Sequence, residues 1–183
     1  FLGDSAIEPD SIVEVRDREP VLVRPSSEME VAPGYISQAA NITWKNQDGT
    51  TGHGLLYLPR SEDFEAPDGE RPPLLVSVNP MPTMAAHPGM DFSAQFWTSR
   101  GFAVLKPNPR GATGFGRDYR QALSGHWGEV DVTDCLDGVR HLINEGLVDP
   151  QRVGIRGESF GSVTVLSALE KSDLFSAGVV FAG

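Results

Sequence analysis

The chain has 183 residues, 39% of them hydrophobic, which suffices for one domain with a real core. Lysine and arginine number 15 against 25 aspartates and glutamates, and the formal net charge of −10 excludes neither fold nor catalysis but speaks against nucleic acid and anionic membranes as partners. No apolar run nears the roughly 20 residues of a membrane span, no signal-peptide pattern follows Phe1-Leu2-Gly3-Asp4, and the single cysteine excludes an intramolecular disulfide and a cysteine-rich zinc site, so the expectation is a cytoplasmic protein.

Residues 11–15 and 21–24 read as a β pair around the charged turn Arg16-Asp17-Arg18-Glu19. A polar, proline-bearing connector over 25–35 follows. A second β pair, 36–44 and 52–58, flanks Asn46-Gln47-Asp48-Gly49, a hairpin-type turn with glycine where positive φ is needed. Residues 59–73 are charged and proline-rich, as in a solvated loop.

Beyond this point strands alternate with helices. Residues 74–78 form a continuous apolar run, the pattern of a strand buried on both faces. Helix is predicted over 92–100 and strand over 102–105. The clearest helix is 131–144, with apolar residues at 132, 135, 136, 139, 142 and 143. Asp131 is its expected N-cap, and Asp134 is expected to complement the helix dipole in the first turn. Cys135 lies on the apolar face and reads as a small core hydrophobe. Strand 152–156, helix 159–170 and strand 177–181 complete the series. This alternation predicts an α/β fold with a mostly parallel sheet.

The sharpest chemical signal is Gly157-Glu158-Ser159-Phe160-Gly161, a G-x-S-x-G pattern with a strand running in and a helix running out. Such a serine sits on a strained strand-to-helix turn, and the flanking glycines leave room for it. Its hydroxyl stands above the sheet's C-terminal edge, and the helix start behind it aims N–H groups at developing negative charge. One oxyanion donor is then the Phe160 N–H. The other is expected from Asn79-Pro80-Met81-Pro82-Thr83, the loop after strand 74–78. Proline has no N–H, which leaves Met81 as the first free donor after Asn79. The glycine-rich loop Asn108–Arg117 is not a phosphate cradle, since no Gly-Lys-Ser/Thr is present and no G-x-G-x-x-G follows a strand.

Asn108-x-Arg110-Gly111-x-x-Gly114-x-Gly116, then Trp127-Gly128 with Asp131 and Asp134, then Asp149-Pro150 and Gly-Glu-Ser-Phe-Gly, resemble the catalytic domain of the prolyl oligopeptidase family, in its acylaminoacyl-peptidase and dipeptidyl-aminopeptidase-like subgroup. The likeness spans roughly residues 36–183. It implies the N-terminal portion of an α/β-hydrolase domain over 36–183, preceded by the end of the last β-propeller blade over 1–25 and a linker over 26–35. It implies Ser159 as nucleophile, Phe160 and Met81 N–H groups as the oxyanion hole, Gly157 and Gly161 as the elbow glycines, and Arg110, Gly111, Gly114 and Gly116 in a substrate-side loop. There are two departures. Asn79-Pro80-Met81-Pro82 stands where the subgroup commonly has His-Gly-Gly-Pro, and Ser162 stands where a glycine usually follows Gly161.

In α/β-hydrolases an acid and then a histidine follow the serine. All four histidines, His53, His87, His126 and His141, precede Ser159, and they read as polar loop or surface residues; His87 alone lies just after the oxyanion segment. The triad acid and histidine are therefore expected beyond residue 183. The leading reading is a serine peptidase that needs no metal or organic cofactor and takes a peptide substrate. A carboxylesterase of the same fold and a catalytically inactive interaction module are the alternatives. An unpaired sheet edge is expected to seek self-association or the remainder of the catalytic domain.

Overall fold

A computed structural model describes residues 1–182. Strands β1 (Leu2–Gly3), β2 (Ser11–Arg16) and β3 (Glu19–Pro25) form a small antiparallel sheet in that order. The β2–β3 turn is a two-residue loop with Asp17 at φ 51° and Arg18 at φ 71°, whose twist matches that of the flanking strands. None of residues 1–25 is buried.

The larger sheet contains β4 (Ala40–Lys45), β5 (Thr51–Tyr57), β6 (Leu74–Val78), β7 (Ala103–Asn108), β8 (Val153–Glu158) and β9 (Ala177–Phe181). Its order is β4-β5-β7-β6-β8-β9. β4, β5 and β7 pair antiparallel, whereas β7, β6, β8 and β9 are mutually parallel. Helices α1 (Phe92–Thr98), α2 (Arg117–Gln121), α3 (Val130–Asn144) and α4 (Phe160–Lys171) occur along the chain.

β6 shows why the sheet sits at the centre. Leu74, Val76 and Val78 face one side and pack with Val139 and Leu142 of α3 and Val165 of α4. Leu75 faces the other side, where Val104, Leu55 and Tyr57 meet Ala94 of α1. A strand covered on both faces needs apolar residues at successive positions, the pattern seen at 74–78. Cys135 is fully buried in the first of these layers, and its burial pushes the thiol pKa well up.

Three sequence expectations change. The first strand of the second pair begins at Ala40 rather than residue 36, because Ser37 is drawn off the ladder: its N–H donates to Gln95 Oε1 (2.8 Å) and its hydroxyl to the Leu58 carbonyl (2.6 Å). α3 begins at Val130 with Glu129 as its N-cap residue, so Asp131 is not the cap. Asp131 instead turns into the protein, where it accepts from Gly128 N–H and Thr164 Oγ1, both at 2.7 Å. Asp134 serves no exposed first turn. It is completely buried and accepts from the Arg110 N–H, from Nε and Nη2 of the Arg110 guanidinium, and from Asn46 Nδ2. The short α2 escaped the sequence reading because it has no apolar stripe; Tyr119 anchors it by donating to the Asn108 carbonyl.

The 46–49 turn is fastened to this cluster. Asp48 accepts from Thr50 N–H (2.9 Å) and Oγ1 (2.6 Å), and its second oxygen accepts from Arg110 (2.6 Å). The Thr50 hydrogen bonds, then the Arg110 guanidinium, lower its pKa to about 2. A depressed carboxyl pKa contributes stability above the unfolded-state value near 4, and that contribution disappears as pH falls toward 2. Asp48→Asn is expected to cost under about 1 kcal/mol at pH 7, since the side chain is half exposed. It should also flatten the dependence of the urea midpoint on pH between 4 and 2. An unchanged pH slope would contradict this.

Candidate active site

β8 delivers the chain to Ser159, and α4 begins at the next residue. Ser159 has φ 51° and ψ −122°, a conformation that residues with side chains rarely adopt and that surrounding contacts must impose. Those contacts are on both sides: the Ser159 N–H donates to the Phe181 carbonyl at 3.0 Å, and its carbonyl accepts from Ser162 N–H at 3.0 Å. The side chain is exposed, and its hydroxyl has no hydrogen-bond partner among the described residues.

The elbow glycines are needed for space. A Cβ on Gly157 would lie 2.4 Å from the Gly161 carbonyl oxygen, and one on Gly161 would lie 2.7 Å from the Asn79 carbonyl oxygen. Both obstacles are backbone. Gly157→Ala is therefore expected to destabilise by about 1–3 kcal/mol in urea unfolding and to slow modification of Ser159; an unchanged midpoint would contradict the crowding. Ser162 follows Gly161 in the first turn of α4. It is buried, and its hydroxyl lies within hydrogen-bond distance of the Gly157 (3.3 Å) and Phe181 (3.1 Å) carbonyls.

The Asn79–Thr83 loop, the expected oxyanion segment, lies beside the elbow. The Phe160 N–H donates to the Pro80 carbonyl at 3.2 Å, and Met81 is largely exposed. Asn79 Nδ2 donates to the Met84 carbonyl (3.0 Å), and Met84 N–H to the Met81 carbonyl (3.2 Å), which closes the loop on itself.

The 108–116 loop abuts this segment. Thr113 N–H donates to the Thr83 carbonyl (3.1 Å), and a Cβ on Gly111, at φ 110°, would meet Leu123 at 2.5 Å and the Pro82 carbonyl at 3.0 Å. Arg110 spends its guanidinium inward, on Asp134 and Asp48, with its side chain 10% exposed. Gly114 and Gly116 have positive φ and open space around them. The fold thus gathers Ser159, Phe160, Met81 and Gly111 to one end of the sheet and buries Arg110 behind them.

Two residues of the motif series, Trp127 and Asp131, stand beside the site in a placement that the sequence does not predict. Trp127 meets the Phe160 ring edge-on, with centroids 4.6 Å apart. Asp131 holds the next residue, Gly128, against Thr164 of α4, so the tryptophan is carried on a tethered loop. The Trp-Gly…Asp spacing was visible, but nothing local says that the carboxylate faces inward.

No histidine hydrogen-bonds Ser159 among the described residues. His53 stacks on Phe115 at 4.4 Å, and burial lowers its pKa. His87 Nδ1 lies 3.0 Å from Asp4 and accepts from Gly89 N–H. His126 lies 3.2 Å from Glu129. No helix among the described residues is long and apolar enough to cross a membrane.

Known proteins resemble this chain in sequence and in fold. Dipeptidyl aminopeptidase BIII of Pseudoxanthomonas mexicana is 34% identical over 142 residues, which cover 75% of this chain and 20% of that protein. An acylamino-acid-releasing enzyme of Arabidopsis thaliana is 33% identical over 106 residues, 58% of this chain and 14% of that enzyme. Among solved structures, a Mycobacterium tuberculosis puromycin-hydrolyzing peptidase superposes with a TM-score of 0.94 at 32% identity, over 98% of this chain and 28% of its own. Pyrococcus horikoshii acylaminoacyl peptidase superposes at 0.78 with 26% identity, over 98% and 28%. The chain therefore spans about a fifth to just over a quarter of the length of the first relatives it matches. The sheet and helices are those of an α/β-hydrolase domain. A model of the prolyl oligopeptidase family matches residues 88–183, a stretch that takes in the 108–116 loop, the tethered Trp127 and the whole elbow, and the chain belongs to that family.

Proposed function

We propose that this chain carries the nucleophile of a serine peptidase. The observation that carries the reading is Ser159 itself: an exposed hydroxyl at φ 51°, between the C-terminal end of a central parallel strand and the first residue of a helix. The hydroxyl oxygen adds to the scissile carbonyl while its proton passes to a histidine contributed from outside these 183 residues. The tetrahedral oxyanion is met by the N–H groups of Phe160 and Met81. The C–N bond then breaks, the histidine returns the proton to the leaving amine, and water releases the acyl group by the reverse sequence. No step calls on a metal or organic cofactor. The peptide class of substrate is supported by the relatives' names, and Gly111, Gly114 and Gly116 border its approach.

We read residues 1–25 as the end of a propeller blade and 26–35 as the linker. Their support is a small sheet that buries nothing of its own. Val179, Val180 and Phe181 of β9, with Val163 and Leu166 of α4, leave apolar surface exposed. We read this surface as the seat of further catalytic-domain structure, with self-association as the competing outcome in dilution gel filtration.

The test is fluorophosphonate treatment of the full-length polypeptide, with peptide mapping and an aminoacyl-nitroanilide assay. One adduct, at Ser159, together with nitroanilide cleavage is expected. An adduct with short-chain ester turnover alone would make the protein an esterase, and no adduct would make it an inactive module.

A further inference from the structure

Building on the peptidase reading above, we propose that the Met81 backbone holds the oxyanion site closed in the free protein, and that the Pro80–Met81 peptide must rotate before two donors serve the reaction. The Phe160 N–H, the donor next to the nucleophile, is engaged by the Pro80 carbonyl at 3.2 Å. In a trans peptide the N–H points opposite to the C=O. The Met81 N–H therefore points away from Phe160, and it has no hydrogen-bond partner among the described residues.

This orientation has the wrong sign for catalysis. It consumes one donor, turns the other away, and places the negative end of a carbonyl dipole where the oxyanion forms. One rotation of one peptide plane corrects all three. It withdraws the carbonyl, frees Phe160 and swings the Met81 N–H into the site.

The rotation changes ψ of Pro80 and φ of Met81. The pyrrolidine ring fixes φ of Pro80 but leaves ψ free. Met81 is the obstacle. It has negative φ in this structure, and half a turn of the preceding peptide carries it to positive φ, where a residue with a Cβ is disfavoured. Pro82 narrows its backbone further. The flanks are pinned by Asn79 Nδ2 on the Met84 carbonyl and by Thr113 N–H on the Thr83 carbonyl, so the movement is confined to the one peptide. Because Met81 is 58% exposed, the restraint comes from its backbone and not from packing.

The experiment compares full-length wild type, Met81→Gly and Met81→Ala by steady-state kinetics on an aminoacyl-nitroanilide. Glycine removes the penalty at positive φ, whereas alanine removes only the side chain beyond Cβ. Met81→Gly is expected to exceed both other proteins in kcat by roughly tenfold, with KM little changed. A gain in kcat is a readout that loss of stability does not produce. A kcat for Met81→Gly no higher than that of Met81→Ala overturns the proposal. A second measurement stands if the glycine variant folds poorly: crystal structures of wild type, free and phosphonylated at Ser159. The Pro80 carbonyl is expected on Phe160 in the first and turned away in the second, with Met81 N–H on the phosphonyl oxygen. The same orientation in both overturns the proposal. Absence of a Ser159 adduct in all three proteins overturns instead the peptidase reading, and the proposal with it.

Discussion

Ser159→Ala is expected to lower peptide hydrolysis by the full-length polypeptide at least about 10⁴-fold and to abolish the fluorophosphonate adduct, while the thermal midpoint stays within about 1 °C of wild type. The two halves of this expectation have separate physical origins. The loss follows because covalent catalysis has no other nucleophile at the elbow: the neighbouring hydroxyl, Ser162, is buried against the Gly157 and Phe181 carbonyls. The retained stability follows because the Ser159 hydroxyl is exposed and bonded to nothing among the described residues. Alanine meets the same restraint at φ 51° as serine does, so the turn is neither relieved nor worsened. Measurement of kcat/KM beside a thermal melt tests both. Residual activity above about one per cent of wild type would mean that another group attacks the substrate.

Asp134→Ala is expected to cost about 3–5 kcal/mol and lower the thermal midpoint by roughly 10 °C. Asp134 is completely buried and takes donors from three directions: the Arg110 backbone, the Arg110 guanidinium and the Asn46 amide. Alanine leaves the guanidinium with Asp48 alone, which is itself half exposed. The cost lies in a stranded buried cation rather than in the attraction of the pair, since the pair's own desolvation offsets much of that attraction. A double variant, Asp134→Leu with Arg110→Met, should accordingly recover most of the loss. Calorimetry of single and double variants decides the matter, and a single-variant cost below about 1 kcal/mol would show that the pair is solvated. Ser159 labelling should also slow in the single variant. Arg110 roots the 108–116 loop, and that loop is bonded to the oxyanion segment through Thr113 and Thr83.

These two residues differ in how far the chain alone reveals them. The strand-to-helix turn at Ser159 was legible because its signal is local: five residues, a strand before and a helix after. The strand at 74–78 and the helix around Cys135 were legible for the same reason, since burial on both faces or on one stripe writes itself into the apolar spacing. Asp134 was misread as a first-turn charge. Its burial comes from Arg110, 24 positions away, and Asn46, 88 positions away, both brought to α3 by the sheet. Asp131 was misread as a cap because a carboxylate near a helix start has two uses, and which applies depends on whether α4 packs beside it.

The oxyanion segment divides in the same way. That Met81 supplies the first backbone N–H after Asn79 follows from the two prolines alone, because proline has no donor. Whether the Pro80–Met81 peptide shows the elbow its N–H or its carbonyl does not follow. Pro80's ring sets φ and leaves ψ open, and the choice falls to the Phe160 donor waiting across the gap. Covalent geometry and apolar spacing thus determined the elbow, the central strands and the identity of the available donors. Contacts between segments far apart in the chain decided which carboxylates are buried and which way one peptide faces, because a side chain's burial and a peptide's orientation are properties of neighbours the local sequence does not contain.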